Sequence, residues 1–250
     1  MKIAMVTGAT SGIGEACARK FAHEGYSVII TGRREERLDS LKTELEKDGV
    51  SVLPLCFDVC DRAQAKKILD SLPDEWQNID VLINNAGLAR GLEPEYEGDF
   101  TDWDEMIDTN IKGLLNITRY IVPKMVKVNH GHVINIGSVA GDAAYAGGGV
   151  YCATKAAVKS ISDGLRIDLA HTKIRVTNIK PGLVETNFSN VRFHGDKQRA
   201  DNVYKGIKPL SAEDIADTAF YAASAPEHVQ IAEVLVLATH QASGSVVYRE

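Results

Sequence analysis

Short apolar runs alternate with longer amphipathic stretches from one end of the chain to the other. Several of the short runs have no polar alternation, which is typical of strands buried on both faces. In the longer stretches apolar residues recur with the period of a helix. The predicted strands are Ile3–Val6, Ser27–Thr31, Ser51–Leu55, Asp80–Ile83, His132–Ile136, Arg175–Ile179 and Val234–Leu237, and the predicted helices include Ile13–His23, Glu36–Lys47, Ala63–Leu72, Trp103–Lys127, Tyr151–Leu169 and Ala212–Ser224.

The alternation of strands and helices predicts the fold class. Strands joined through helices run parallel and carry helices on both faces of their sheet. We therefore predict a single α/β domain over residues 1–250, doubly wound around a seven-stranded parallel sheet. In such folds the ligand crevice lies beyond the carboxyl ends of the strands. Residues that directly follow a strand are thus the first candidates for chemistry.

The composition is that of an ordinary globular protein, with 250 residues of which 44% are hydrophobic and 25% charged. The formal net charge of -6 offers no basic surface to a nucleic acid. No apolar run approaches the ~20 residues of a membrane span, and the N-terminus enters a strand pattern without a signal-peptide layout. We expect a cytoplasmic protein with no nucleic-acid partner and no membrane partner.

The four cysteines, at positions 17, 56, 60 and 152, form no C-x-x-C pair. Cys56 and Cys60 could suggest two ligands of a metal ion, but no Cys or His follows them at the spacing of a zinc site. We expect reduced thiols and no bound metal.

A glycine cluster follows the first predicted strand. Residues 7–14 read Thr-Gly-Ala-Thr-Ser-Gly-Ile-Gly and lead into a predicted helix. Glycine allows the backbone to turn sharply and to approach a pyrophosphate, which the N–H groups at the helix start then face. The spacing G-x-x-x-G-x-G differs from the commoner G-x-G-x-x-G, and three glycines alone are weak evidence. Their position between a strand and a helix favours a dinucleotide site.

The second predicted strand is followed by an arginine pair, Arg33 and Arg34. An NAD site usually has an acidic residue here, whereas a guanidinium binds the 2′-phosphate of NADP. The pair could also coat a helix surface, balanced by Glu35 and Glu36. Asp58, after the third strand, could accept a hydrogen bond from the adenine amino group or could cap a helix. We interpret the pattern as an NADP site.

Polar residues also follow the fourth and fifth predicted strands. The fourth leads into Asn84–Gly87, small and polar enough to let a nucleotide pass over the sheet. The fifth delivers Ser138, and thirteen positions later (151 minus 138) Tyr151 and Lys155 share one face of a helix. Asn110 lies in the preceding long helix. Each residue is weak evidence alone, and their joint order after a phosphate loop indicates catalysis.

The tyrosine–lysine pair has a chemical rationale. A tyrosine with its usual pKa of about 10 is a poor base at neutral pH, and a nearby ammonium lowers that pKa. We expect Tyr151 to exchange the hydroxyl proton of an alcohol and Ser138 to hold the substrate oxygen. Lys155 could also bind the nicotinamide ribose, and Asn110 could hold a water chain leading away from it. Hydride transfer belongs to the nicotinamide, so no metal is required.

Together these motifs resemble the short-chain dehydrogenase/reductase family in its roughly 250-residue form, over nearly the whole chain. The resemblance implies a Rossmann-type fold and a homotetramer with the two long helices at one interface. It also implies a catalytic tetrad of Asn110, Ser138, Tyr151 and Lys155. The cofactor-binding residues that follow from the motifs and the resemblance are Gly8, Thr10, Ser11, Gly12, Ile13, Gly14, Arg33, Arg34, Asp58, Val59, Asn85, Ala86, Gly87, Tyr151, Lys155, Pro181, Gly182, Val184 and Thr186.

Residues 183–208 lack a clear regular pattern and, by the same resemblance, form the substrate lid. Within them, residues 185–196 are similar to the branch of the family that oxidises 3-hydroxy acids such as serine, allo-threonine and 3-hydroxypropionate. Residues 238–241 resemble that branch as well. The predicted reaction is therefore NADP-linked oxidation of a 3-hydroxy acid to a 3-oxo acid, or its reverse.

A 3-hydroxy acid needs a partner for its carboxylate. Arg192 is the candidate in the lid, with Lys180 and Arg90 as alternatives. Arg192 could instead pair with Asp196 and hold the lid in shape. The glycines at 147–149 could leave room beside the substrate or could form only a flexible turn.

Other functions stay open at this point. The enzyme could reduce another small carbonyl, such as an aldehyde, a sugar or a lipid ketone, or the chain could be a non-catalytic NADP-sensing scaffold. The intact Tyr151–Lys155 pair argues against a scaffold. His130 and His132, at a turn into the fifth strand, are expected on the surface. No Ser-His-acid order or H-E-x-x-H spacing supports a hydrolase.

Overall fold

The computed structural model describes residues 1–250 and contains one seven-stranded sheet. Its strands are β1 Ile3–Val6, β2 Ser27–Gly32, β3 Val52–Cys56, β4 Val81–Asn84, β5 His132–Ile136, β6 Arg175–Pro181 and β7 Glu233–Val236. All neighbouring strands are parallel, in the order β3-β2-β1-β4-β5-β6-β7. The strand order reverses between β1 and β4, which creates the crevice that this fold class uses for ligands.

Helices cover both faces of the sheet. They are α1 Gly12–His23, α2 Glu35–Leu45, α3 Arg62–Asp70, α4 Phe100–Ile107, α5 Leu114–Val128, α6 Gly149–Asp168, α7 Phe188–Arg192, α8 Lys197–Asn202 and α9 Ala212–Ser224. One apolar core joins the sheet to α1, α2 and α9, and a second joins it to α3 and α5. None of the helices combines the length and the apolar character needed to cross a bilayer.

The two cores explain the apolar strand patterns. In β1, Ala4 and Val6 belong to one core, and Ile3 and Met5 belong to the other. Successive side chains of a strand point to opposite faces, so a strand covered on both faces favours apolar residues at successive positions. The predicted doubly wound parallel sheet of seven strands is confirmed.

Two segments differ from the prediction. The helix predicted over Trp103–Lys127 is interrupted, because a π-helical turn over Asp108–Gly113 separates α4 from α5. Residues 183–208, which show no regular pattern in the sequence, contain the short helices α7 and α8. Helices of five and six residues are too short to produce a clear period, which is why the pattern misses them.

The expectation that His132 lies on the surface is wrong. His132 is the first residue of β5 and only 2% exposed, with its Nε2 atom 2.8 Å from Thr177 Oγ1 on β6. Because β5 lies between β4 and β6, even its first residue is covered. Burial, with a contribution from Arg175, lowers the pKa of His132 to about 3. The neighbouring His130 is half exposed, as expected, and lies 3.1 Å from Asp80.

Candidate active site

A cleft of about 910 Å³ lies beyond the carboxyl ends of the strands. Its lining comes from the loops that follow β1 to β6 and from residues 183–204. All of the predicted cofactor, catalytic and substrate residues line this cleft, except Thr10, Gly14, Asn110 and the alternative carboxylate partner Lys180. The structure thus brings together residues from six separate loops that the sequence places far apart.

The loop between β1 and α1 is bound tightly to the loop after β4. Thr7 Oγ1 accepts hydrogen bonds of 3.0 Å from the Asn85 N–H and from the next N–H along the chain. Asn85 Nδ2 donates to the carbonyls of Thr7 and Gly8. A Cβ atom at Gly14 would overlap the Asn85 amide and the Gly8 carbonyl, so only glycine fits there. The two loops therefore form one rigid floor of the cleft.

The start of α1 can bind an anion. Gly8 and Gly12 have positive φ angles of 66° and 57°, which L side chains rarely adopt. The N-cap residue Ser11 makes no side-chain cap hydrogen bond, so the first N–H groups of α1 have no such partner. Free N–H groups at a helix N-terminus are a suitable site for a pyrophosphate. The residues present therefore fit a dinucleotide.

Arg34 contacts this loop and Arg33 lies beside Asp58, whereas neither contacts the neighbouring glutamates. Arg34 Nη2 lies 2.7 Å from Thr10 Oγ1 and 3.1 Å from the Thr10 carbonyl oxygen. Arg33 Nη1 lies 3.5 Å from an Asp58 carboxylate oxygen, at a mostly exposed position. Neither arginine forms an ion pair with Glu35 or Glu36. Both arginines line the cleft and keep their guanidinium groups largely exposed there.

Asp58 does not cap a helix. Helix α3 begins at Arg62, and its N-cap is Asp61, which accepts hydrogen bonds from the N–H groups of Ala63 and Gln64. Asp58 instead accepts a 2.8 Å hydrogen bond from the Cys60 N–H. The helix-cap interpretation of Asp58 is therefore wrong, and its carboxylate remains at the cleft.

Tyr151 and Lys155 lie one turn apart on α6, and both are buried. Lys155 Nζ lies 5.9 Å from the centre of the Tyr151 ring and donates a 2.8 Å hydrogen bond to the carbonyl of Ile136, the last residue of β5. Ser138 Oγ accepts a hydrogen bond from the Ala140 N–H and so caps a short 3₁₀ turn. The strand end and the helix thus hold the three side chains at one wall of the cleft.

The expected lowering of the Tyr151 pKa is not found. Burial raises the pKa of Tyr151 above its usual value, and nearby Tyr145 adds to this, while a hydrogen bond with Ser138 and the charge of Arg192 act in the opposite direction. Burial also lowers the pKa of Lys155 to about 8. Burial is the largest cause of both pKa shifts, and the hydrogen bond of Lys155 goes to a backbone carbonyl.

Asn110 clamps two parts of the site from behind. It is buried in the π-helical turn, where its Oδ1 atom accepts from the Leu88 N–H and its Nδ2 atom donates to the Leu88 carbonyl, each at 2.8 Å. Nδ2 also lies 3.0 Å from Thr154 Oγ1 on α6. The side chain therefore fixes the loop after β4 against the helix that carries Tyr151 and Lys155. The water chain that Asn110 is expected to hold beside Lys155 stays a prediction.

Arg192 does not pair with Asp196. Its Nε atom donates to the Gly91 carbonyl and its Nη1 atom to the Tyr145 hydroxyl, both at 2.9 Å. Asp196 instead caps α8 by accepting a hydrogen bond from the Arg199 N–H. The contacts of Arg192 thus run from the lid to the loops after β4 and β5.

The two alternative partners for a substrate carboxylate, Lys180 and Arg90, already form ion pairs with carboxylates of the protein. Lys180 Nζ lies 2.8 Å from Asp142 and 2.6 Å from Glu233. Arg90 lies 2.6 Å from Glu105. Burial opposes the charge of Lys180, but the two carboxylates raise its pKa above the usual value. Arg192 has no such carboxylate.

The chain is similar to known proteins over nearly its whole length. The profile described as short chain dehydrogenase matches residues 2–197. The chain belongs to the short-chain dehydrogenase family. The NADP-dependent 3-hydroxy acid dehydrogenase YdfG of Escherichia coli (strain K12) is 49% identical over 250 residues, covering 99% of this chain and 100% of that protein. Serine 3-dehydrogenase of Agrobacterium fabrum is 46% identical over 247 residues, with 98% of each chain covered.

A solved short-chain dehydrogenase is similar over its full length. The closed form of serine dehydrogenase complexed with NADP⁺ superposes with a TM-score of 0.94, at 48% identity, covering 99% of this chain and 100% of that one. The serine dehydrogenase of Escherichia coli gives a TM-score of 0.84 at 45% identity, with 96% and 99% covered. The predicted family and oxidoreductase class are confirmed.

Sequence reasoning missed several side chains that build this short-chain dehydrogenase site. Thr7, which enters the motif only as the start of the glycine loop, and Thr154 on α6 bind Asn85 and Asn110 through hydroxyl groups, and the sequence gives no signal of these contacts. Gln241, from the C-terminal segment, accepts from the Leu183 N–H at 2.8 Å. Tyr145, beside Arg192, is visible in the sequence only as an aromatic residue near glycines.

Proposed function

We propose that the protein is an NADP-dependent dehydrogenase that moves a hydride between the cofactor and the carbinol carbon of a 3-hydroxy acid, such as serine, allo-threonine or 3-hydroxypropionate. The observation that carries this proposal is Arg192, a guanidinium without a carboxylate partner whose Cζ atom lies 5.7 Å from the centre of the Tyr151 ring. It is supported by relatives that are NADP-dependent 3-hydroxy acid and serine dehydrogenases.

NADP is the cofactor, as the arginine pair predicts and as the NADP dependence of the relatives confirms. The N–H groups at the start of α1 hold the pyrophosphate, and Arg33 and Arg34 bind the 2′-phosphate. Asp58 accepts from the adenine amino group. The remaining cofactor contacts are assigned to Gly8, Thr10, Ser11, Gly12, Ile13, Gly14, Val59, Asn85, Ala86, Gly87, Pro181, Gly182, Val184 and Thr186.

Bound NADP⁺ supplies the acceptor for the hydride of the alcohol. Tyr151 takes the hydroxyl proton during oxidation and returns it to the carbonyl during reduction. Because burial raises the pKa of Tyr151, the group is protonated at neutral pH and suited to donate. Ser138 and Arg192 both lower this pKa and so favour the phenolate needed for oxidation. Ser138 holds the substrate oxygen beside Tyr151.

Arg192 binds the carboxylate of the substrate from the lid, residues 183–208. A guanidinium matches a carboxylate in charge and in geometry. Lys155 binds the nicotinamide ribose, and Asn110 acts by fixing the helix that carries Lys155. We further propose that the protein is a cytoplasmic homotetramer, with α5 and α6 at one interface between subunits, which sedimentation analysis would test.

The test of the function is a set of initial rates of NADP⁺ reduction. The substrates are L-serine, D-serine, L-allo-threonine, 3-hydroxypropionate and a simple secondary alcohol, each repeated with NAD⁺. We expect turnover of the hydroxy acids with NADP⁺ at rates well above those with NAD⁺. Turnover of the secondary alcohol alone would replace the substrate class with a neutral carbonyl compound. Equal rates with both cofactors would contradict the roles of Arg33 and Arg34.

A further inference from the structure

The protein satisfies only part of the hydrogen-bonding capacity of Arg192. The Nε and Nη1 atoms have partners, whereas Nη2 is buried without one. A buried charged donor without a partner costs free energy in the folded state. Nη2 of Arg192 is the only arginine or lysine nitrogen that is buried without a partner, whereas Arg90, Lys180 and Arg199 each lie beside a carboxylate. The free Nη2 group calls for an acceptor that the chain itself does not provide.

No protein carboxylate competes for this guanidinium within the cleft. Three aromatic rings surround it, with its Cζ atom 5.5 Å from the ring centre of Tyr145, 5.7 Å from that of Tyr151 and 6.0 Å from that of Phe193. Asp58 is the single acidic residue in the lining, and it lies beside Arg33 at the nucleotide end. The half of the cleft that contains Tyr151 is therefore cationic and suited to an anionic substrate.

Tyr145 gives Arg192 its one side-chain hydrogen bond. The Tyr145 hydroxyl accepts from Nη1 at 2.9 Å, while the other contact, on Nε, is to the backbone at Gly91. Because the two acceptors bond to different nitrogens of the planar group, they fix its orientation, and Nη2 is the nitrogen that remains. Removal of the Tyr145 hydroxyl would leave the guanidinium free to rotate about the Nε contact.

The glycines before α6 place the Tyr145 ring. A Cβ atom at Gly148 would lie 2.6 Å from two carbons of the ring, so the ring packs directly on the Gly148 backbone. Gly147 has a φ angle of 70°, and a side chain there would overlap the Leu92 carbonyl. These glycines thus make room for Tyr145 and for the loop after β4, and their packing argues against a flexible turn.

We propose that Tyr145 is a positioning residue that orients Arg192, so that Nη2 is left to bind a substrate carboxylate. The pair then sets the preference of the enzyme for anionic over neutral alcohols. This inference rests on the proposed function, because it assumes that Arg192 receives the carboxylate. It adds a residue from outside the lid to the determinants of substrate charge.

The test compares Tyr145→Phe with the wild type on 3-hydroxypropionate and on its neutral analogue 3-hydroxypropanamide. We expect KM for the acid to rise about tenfold, because a hydrogen bond to a charged group is lost, with kcat changed less than about twofold. KM for the amide should stay within about twofold. Arg192→Ala should raise KM for the acid more than Tyr145→Phe, and Tyr145→Phe should add nothing in the Arg192→Ala background.

The matched control is Tyr204→Phe. The Tyr204 hydroxyl also bonds within the lid region, to Val184 and Ser189, but it does not touch Arg192. Its removal should affect the acid and the amide equally. A second readout avoids turnover: calorimetry of malonate binding to the NADP⁺-loaded protein should give a Kd about tenfold higher for Tyr145→Phe.

The outcomes separate the two levels of the argument. If Arg192→Ala leaves KM for the acid and malonate binding unchanged, the carboxylate role of Arg192 in the proposed function is lost, and the role of Tyr145 with it. If Arg192→Ala weakens both but Tyr145→Phe weakens neither, the positioning role alone is overturned. An equal loss on acid and amide in Tyr145→Phe would also overturn it.

Discussion

The two ends of strand β5 both bury titratable groups, but only one end faces a cleft. At the carboxyl end, Lys155 donates to the Ile136 carbonyl and lies beside Tyr151. At the amino end, His132 packs between neighbouring strands and bonds to Thr177. Burial lowers the pKa of both basic groups, to about 8 for Lys155 and to about 3 for His132. The larger shift belongs to His132, which does not line the cleft.

The comparison teaches that a shifted pKa does not mark an active site. Desolvation acts on any buried ionisable group, whether or not a ligand can reach it. What distinguishes the carboxyl end is the cleft of about 910 Å³ and the loops that enter it. Substitutions at the carboxyl end should therefore change catalysis or cofactor binding, and substitutions at the amino end should change stability.

The largest effect is expected for Tyr151→Phe. It removes the proposed acid–base group and keeps the ring that packs against Phe188. Because acid–base catalysis contributes about 10²- to 10⁴-fold, kcat should fall by about that factor. The Kd for NADP⁺, measured by fluorescence titration, should stay within about twofold. Full turnover in this variant would exclude Tyr151 as the acid–base group and remove the chemical distinction between the two ends of β5.

A smaller effect is expected for Arg34→Ala. The substitution removes a guanidinium from beside Thr10, and hydrogen bonds to charged groups contribute about 1.5–3 kcal/mol. The Kd for NADP⁺ should rise about tenfold or more, while the Kd for NAD⁺ changes little. Arg37→Ala, an exposed arginine on the same helix, is the matched control and should leave both constants within about twofold. Equal weakening of NAD⁺ and NADP⁺ binding by Arg34→Ala would argue against 2′-phosphate recognition.

The smallest effect is expected at the amino end, in the pH dependence of stability. His132 is neutral in the folded protein down to pH of about 3, whereas its unfolded form takes up a proton below about 6.5. Stability from this group is therefore lost as pH falls from 6.5, by about 2 kcal/mol at pH 5. His132→Gln should remove this contribution, so that the free energy of unfolding, measured with urea, falls less between pH 7 and pH 5 than in the wild type. The value of kcat/KM at pH 7 should be unchanged.

His130→Gln provides the comparison for this experiment. The His130 side chain is half exposed, and the residue directly precedes Gly131, outside β5. It should retain the wild-type loss of stability between pH 7 and pH 5. An identical slope in His132→Gln would show that the burial of His132 has no energetic weight, and loss of activity in that variant would link the amino end to the cleft.

The fold could be predicted from sequence because buried strands leave a local signal. The predicted bounds of β1 and β5 match the structure, since both contain β-branched apolar residues and are covered by helices. His132 was misplaced for the same reason: the pattern shows where a run begins but not how deeply its first residue is covered. The glycine loop and the Tyr151–Lys155 pair were found because their chemistry depends on short spacings.

The substrate half of the cleft could not be predicted in the same way. Arg192 bonds to Gly91, 101 residues earlier in the chain, and to Tyr145, 47 residues earlier. No periodicity links such positions, and the partners are a backbone carbonyl and a hydroxyl group, which any sequence offers in many places. Only the assembled fold shows that Asp196 bonds to the Arg199 N–H and that Nη2 of Arg192 has no partner in the chain.

The π-helical turn over Asp108–Gly113 restricts how the chain can change in length. Each residue of a helix rotates the next by 100°, so the turn sets the phase between α4 and α5. With this phase, Met106 in α4, Asn110 in the π-helical turn and Ile117 in α5 are all buried. A single insertion or deletion here would expose either the apolar side of α5 or the amide of Asn110. The number of residues in α4, the π-helical turn and α5 is therefore constrained more strictly than the identity of their exposed residues.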